Sequence, residues 1–180
     1  MNLINKLERE LEISIPSSYK GFIEHYPKGK IYYPKAKQAD ECCFNCFCNP
    51  KEKDEEKRWQ WEPEEGTIGY VEVAFSEIEQ VYSIHYFNQG SWPMKCICIG
   101  SLNDDLLIVL DCQTEDVYCI EHDEVCLNFH SQQEYDEKMP MKHIRFVDFT
   151  SCLRWCENGS IYNPDQATKQ MAEKFQQRKK

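Results

Sequence analysis

Apolar residues recur at helical spacing near the N-terminus, at Leu3, Ile4, Leu7 and Leu11, with Glu8, Arg9 and Glu10 between them. Residues three and four apart share one helix face, so the pattern predicts a short amphipathic helix. In Ile15-Pro16-Ser17-Ser18-Tyr19-Lys20-Gly21-Phe22-Ile23 the proline suits a first helical turn, and Tyr19, Phe22 and Ile23 then share a face. Pro27 and Gly29 end this second helix, and Lys30-Ile31-Tyr32-Tyr33 reads as a short strand. Residues 68–75 are strand-like, and Ser76-Glu77-Ile78-Glu79 has the form of a capping box ahead of a helix to about Phe87. Three strands follow, at 94–99, 106–111 and 117–121, separated by the polar turns 101–105 and 113–116. Strands this close in sequence pair as an antiparallel meander. Phe146, Phe149, Leu153 and Cys156 return to helical spacing, stopped by Asn158-Gly159. Asn163-Pro164-Asp165 opens a last helix with a capping asparagine and a first-turn proline. That helix is polar and basic, so it is expected to stand partly detached.

The segment 34–66 breaks the regular pattern. Between Asp40 and Glu65 it holds nine acidic and four basic residues, the run Cys42-Cys43-Phe44-Asn45-Cys46-Phe47-Cys48, and then Trp59 and Trp61. It reads as a long inserted loop or arm, of the kind that is usually functional. The predicted organisation is one domain over 1–160 with this insertion, followed by a basic helix or tail over 161–180. The predicted fold class is α+β, with a twisted, mostly antiparallel sheet packed against helices.

Composition narrows the function. The chain has 180 residues, enough for one domain with a real core. No run of 18 apolar residues exists, and charge interrupts the apolar residues of the N-terminus, so neither a membrane span nor a secretory signal is expected. A cytoplasmic location follows as the expectation. The net charge is −10. From Asn163 onward five basic and two acidic residues give +3, which leaves −13 on the rest. Such a body repels phosphate backbones and anionic membranes, which argues against direct nucleic-acid binding. It favours a basic protein partner, or else serves solubility.

Eleven cysteines, an odd number without an export signal, are expected as reduced thiols. Cys43 and Cys46 have zinc-knuckle spacing, with Cys42 and Cys48 beside them, and Cys96 with Cys98 or His122 with Cys126 could supply a second pair. The competing reading is a packed, reduced turn flanked by Phe44 and Phe47. Cys96 and Cys98 alternate with Ile97 and Ile99, which reads as core packing, since free cysteine behaves as a small hydrophobe. Cys152 and Cys156 stand one helical turn apart, with Leu153 and Trp155 suggesting burial. No glycine-rich phosphate loop, nucleophile elbow or cysteine–histidine signature is present, so no catalytic residue is assigned and catalysis is not expected. Trp59 and Trp61 among Glu62, Glu64 and Glu65 suit either binding anchors with a charged rim or rings that pin the arm. With the turn at Asp104 and Asp105 they form the candidate partner-binding set.

The order and spacing of several short segments resemble the SUKH superfamily. Ile15-Pro16-Ser17-Ser18-Tyr19-Lys20 is similar to its hydrophobic-Pro-x-x-Tyr-Lys start of a helix. Phe75-Ser76-Glu77-Ile78-Glu79-Gln80-Val81-Tyr82 resembles its strand-to-helix step, the run from Ile97 to Asp111 its central hairpin, and Phe146 to Leu153 its closing helix. The likeness spans about residues 3–156, omitting the arm. The family's hairpin turn is usually glycine-rich, whereas this chain has Leu102-Asn103-Asp104-Asp105, whose Asn and Asp tolerate the same left-handed backbone. The resemblance implies a bacterial immunity protein that binds and neutralises a cognate toxin, often a nuclease, in the cytoplasm, without a catalytic centre. Fungal relatives imply a regulatory or scaffold role. Nothing in the sequence fixes the oligomeric state. The rival from another class is a zinc-binding or thiol-redox protein using Cys42, Cys43, Cys46 and Cys48.

Overall fold

The computed structural model describes residues 3–38, 46–61, 64, 66–87, 95–121 and 144–178. In chain order its elements are α1 (Leu3–Leu11), α2 (Ser17–His25), β1 (Lys30–Tyr32), β2 (Lys35–Lys37), β3 (Cys46–Cys48), α3 (Glu55–Arg58), β4 (Trp59–Trp61), β5 (Ile68–Tyr70), β6 (Val73–Phe75) and α4 (Ile78–Phe87). The second half continues with β7 (Cys96–Leu102), β8 (Leu106–Asp111), β9 (Val117–Glu121), β10 (Ile144–Phe146), α5 (Phe149–Asn158), β11 (Ile161–Tyr162) and α6 (Pro164–Arg178).

The two N-terminal helices form where the spacing puts them. Ile4 and Leu7 of α1, and Tyr19, Phe22 and Ile23 of α2, are buried. The Tyr-Lys pair does two jobs here. Tyr19 packs edge-on against Phe149, with ring centroids 5.1 Å apart. Lys20 meets Glu8 of α1 at 2.7 Å, and Glu8 also accepts the Ile15 N–H at 2.8 Å. Burial opposes ionisation of Glu8, but these two partners outweigh it and hold its carboxyl below the usual value. The contribution is therefore present above the unfolded-state pKa and lost as pH falls through the folded one. Glu8→Gln should cost about 1 kcal/mol at neutral pH. In urea titrations the gap between variant and wild type should close below about pH 4.

The main sheet has six strands in the order β1-β6-β7-β8-β9-β10, every pairing antiparallel. The fold is thus α+β with an antiparallel meander, as the spacing predicted. The central hairpin is longer than expected, because β7 runs on to Leu102 and leaves only residues 103–105 as turn. A register shift falls between Cys98 and Gly100. Gly100 is required there, since a Cβ would lie 2.2 Å from the Ala74 carbonyl oxygen. The capping-box boundary also moves. The helix starts at Ile78, and the Ser76 N–H is spent on the Ile99 carbonyl at 2.9 Å.

Both faces of the meander are covered. One carries the main core, where Ile97, Ile99, Ile108, Leu110 and Val117 meet residues of α1, α2, α4 and α5. The other carries Cys96, Val109, Tyr118 and Ile120, and it is α6 that covers them with Met171 and half-buried Phe175. The expectation of a partly detached last helix is therefore corrected. Its predicted cap is present, with the Gln166 N–H donating to Asn163 Oδ1 at 3.1 Å. Its basic residues are not free either. Lys174 Nζ and Arg178 Nη2 lie 2.6 and 2.8 Å from Asp116 Oδ1, and that carboxylate side chain is 1% exposed.

The segment expected to be a loop holds strands. Residues 35–37, 46–48 and 59–61 join β5 and β11 in a second sheet, ordered β11-β2-β5-β3-β4. All its pairings are antiparallel except β11 with β2. Three-residue strands are too short to show a period of two against helix or loop, so composition alone suggested an arm.

Candidate protein-binding surface

The second sheet is two-faced. Ala36, Phe47, Val71 and Tyr162 are buried on its inner side, and Phe47 lies so close over Gly69 that a Cβ there would fall 2.2 Å from its ring. Paired strand residues share a face. Ile161 pairs with Lys35, Lys35 with Tyr70, Tyr70 with Cys48, and Cys48 with Trp59, so this row crosses all five strands on the face opposite Phe47, exposed at Ile161 and Tyr70 and covered at Cys48. Trp59 is half-buried there, at the edge strand.

A polar relay ties this edge to the hairpin turn of the main sheet. Arg58 Nη2 meets Glu72 Oε2 at 3.1 Å, and it also contacts the Tyr33 hydroxyl, over whose ring its guanidinium lies 5.1 Å from the centroid. The Glu72 N–H donates to Asn103 Oδ1 at 2.8 Å, and the Asn103 N–H donates to the Glu72 carbonyl at 2.8 Å. Asn103 and Asp104 have positive φ, 52° and 58°, the geometry of a tight hairpin turn that Asn and Asp tolerate. The relay thus ties the turn that carries Asp104 and Asp105, both exposed, to the hairpin that carries Trp59. Arg58, Glu72 and Tyr33 escaped the sequence reading, and Asn103 was read only as a turn residue, because no spacing links positions so far apart in the chain.

The remaining candidate residues are placed as follows. Glu64 is exposed, Trp61 pairs through its backbone with Cys46, and Glu62 and Glu65 lie outside the described residues. The acidity of the arm is uneven: residues 51–58 hold four basic and four acidic side chains, so its net charge sits elsewhere. Asp54 is used locally, capping α3 through the Glu56 and Lys57 N–H groups and pairing with Lys57 at 3.4 Å.

Of the zinc candidates, Cys48 is buried at 4% exposure, Cys46 is in β3, and Cys42 and Cys43 lie outside the described residues, as do His122 and Cys126. Among the described residues no three His, Cys, Asp or Glu side chains are grouped to hold a metal ion. Cys96 and Cys98 are buried in the sheet, as expected of core thiols. Burial pushes the Cys98 thiol up to about 11 and raises Cys112 and Cys152 as well, Cys152 chiefly through its hydrogen bond with Cys156. Thiols held protonated are poor nucleophiles and poor metal ligands. No helix among the described residues is long and apolar enough to cross a membrane.

No curated protein and no solved structure matches this chain. A family model does, over residues 2–139, which include α1, α2, the second sheet's β2 to β5 and the main sheet's strands except β10. The likeness read for Phe146 to Leu153 lies beyond that span, as do β11 and α6. With the Tyr-Lys helix start, the strand-to-helix step and the antiparallel meander all in place, the chain belongs to the SMI1 / KNR4 family (SUKH-1).

Proposed function

We propose that the protein is a cytoplasmic immunity protein that neutralises a cognate toxin, such as a nuclease, by stoichiometric binding rather than by catalysis. The observation that carries this reading is the relay through Arg58, Glu72 and Asn103, which ties the edge strand that bears Trp59 to the turn that bears two exposed carboxylates. A half-buried Trp59 supplies a rigid apolar anchor at little entropic cost. Asp104, Asp105 and Glu64 supply exposed carboxylates that a basic toxin would meet, and Trp61, Glu62 and Glu65 are assigned to the same surface from the sequence of the segment alone. Against a nuclease, these carboxylates would stand where substrate phosphates bind, and the net charge of −10 would speed encounter.

The test is capture from lysate of the source organism at low and high salt, followed by co-expression of the captured protein with this chain. The expected result is one stoichiometric basic partner, toxic when expressed alone and harmless in the presence of this chain. Asp104→Lys with Asp105→Lys should weaken capture by about a hundredfold, mainly through slower association and lost charge pairing. Protection that survives both this double variant and Trp59→Ala would refute the surface. Stoichiometric zinc lost on replacing Cys42, Cys43, Cys46 and Cys48 would instead favour the metal-binding rival.

A further inference from the structure

Large apolar side chains are scarce on the described surface. Only Ile31, Ile68, Tyr70 and Ile161 are exposed, at 51%, 52%, 40% and 44%. Three of these four fall on the outer side of the second sheet. Ile161 and Tyr70 flank Lys35 in one cross-strand row, and Ile68 pairs with Lys37 in the next. Lys35 lies over the Tyr70 ring, 5.7 Å from its centroid, and Lys37 is exposed. A protein rarely leaves apolar residues clustered on a sheet face without a use. The charge of this cluster is also opposite to that of the molecule. Its two charged residues are both lysines, in a chain of net charge −10.

We propose that the Ile161–Tyr70–Ile68 half of this sheet face is a second docking surface, which takes a protein segment presenting aliphatic side chains flanked by carboxylates. Charge complementarity selects that occupant. Lys35 and Lys37 stand between the apolar positions, so a partner's carboxylates pair with them while its aliphatic groups cover Ile68, Tyr70 and Ile161. A basic partner would place like charges in the same spaces. This surface is therefore distinct in polarity from the Asp104–Asp105 end.

Two synthetic peptides provide the probe, one alternating leucine with glutamate and one alternating leucine with lysine. Each is titrated into the full chain by fluorescence anisotropy. The glutamate peptide should bind at least about tenfold tighter than the lysine peptide. Ile68→Asp with Tyr70→Asp should remove that binding, and Lys35→Glu with Lys37→Glu should reverse the preference. All four positions are on the outer face, so circular dichroism should show the fold retained. Asp104→Lys with Asp105→Lys should leave peptide binding unchanged, which separates this surface from the toxin-facing one. Equal affinity for the two peptides, or binding that survives Ile68→Asp with Tyr70→Asp, overturns the proposal. So does concentration-dependent dimerisation in sedimentation that Ile68→Asp abolishes, because the face then belongs to a second copy of the chain.

Discussion

Replacing Phe149 with alanine is expected to destabilise the protein by about 4 kcal/mol, the largest single-residue effect in the core. The ring is 1% exposed and sits where three other aromatics converge. Tyr19, Phe22 and Phe75 approach it edge-on with centroids at 5.1, 5.4 and 5.5 Å. These four residues come from α2, the main sheet and α5, so the ring joins the two ends of the chain across the sheet. Alanine loses the transfer energy of the ring, leaves a cavity, and removes three edge-to-face contacts each worth about 1 kcal/mol. Rigid aromatic neighbours cannot collapse far into the space, which favours the upper part of the usual range. In thermal unfolding the midpoint should fall by about 10 °C, whereas Phe149→Leu should lose less, because it refills most of the cavity while still giving up the three ring contacts. Equal losses for the two variants would show that the ring contacts, and not the filled volume, carry the effect.

The second large effect is expected at Asp116. Its carboxylate is buried and gathers Lys174, Arg178, the Thr114 hydroxyl at 2.8 Å and the Tyr118 hydroxyl at 3.1 Å. Lys174 also donates to the Thr114 and Val147 carbonyls, so the cluster fastens α6 to the β8–β9 turn and to the segment after β10. Asp116→Ala removes the only carboxylate that these two cations share among the described residues. The predicted cost is about 3 kcal/mol, at the low end for a broken buried pair because both cations keep some contact with water. What remains in α6 is modest: the buried Ala167 and Met171, half-buried Phe175, and hydrogen bonds of Lys174, Arg178 and Thr168. Hydrogen exchange should therefore show α6 amides losing protection before the rest of the fold, together with new dye-accessible apolar surface around Cys96, Tyr118 and Ile120. Uniform loss of protection across the meander would instead mean that α6 and the sheet unfold as one unit. At nearby Asp111, burial raises the carboxyl above its usual value, against the pull of the Thr114 and Gln113 N–H groups.

Much of this protein was legible in its sequence. Periodicity located α1, α2 and the closing helix, because each buries one face and shows it at spacings of three and four. Cap chemistry located the start of α6 at Asn163 and the end of α5 at Gly159, whose φ of 64° requires the left-handed region. The meander followed from turn spacing, and the helix starts and strand order were enough to suggest the family. These are local signals, carried by residues near one another in the chain.

Only the tertiary structure decided the rest. Pairing of Ile161 with Lys35, or contact of Arg58 with Glu72 and of Glu72 with Asn103, depends on chain segments that meet only after folding. The strands of the second sheet hold two or three residues each, so their sequences carry no alternation to read. The last helix looked detached because it is polar, but polarity does not report where a cation ends up. Lys174 and Arg178 are bound because a carboxylate some sixty residues earlier is buried beneath them. Asp104 and Asp105 could be named from the sequence as exposed turn residues. That their turn is tied to the hairpin of Trp59 follows from a hydrogen-bond relay, in which Arg58 and Glu72 had no pattern in sequence to mark them.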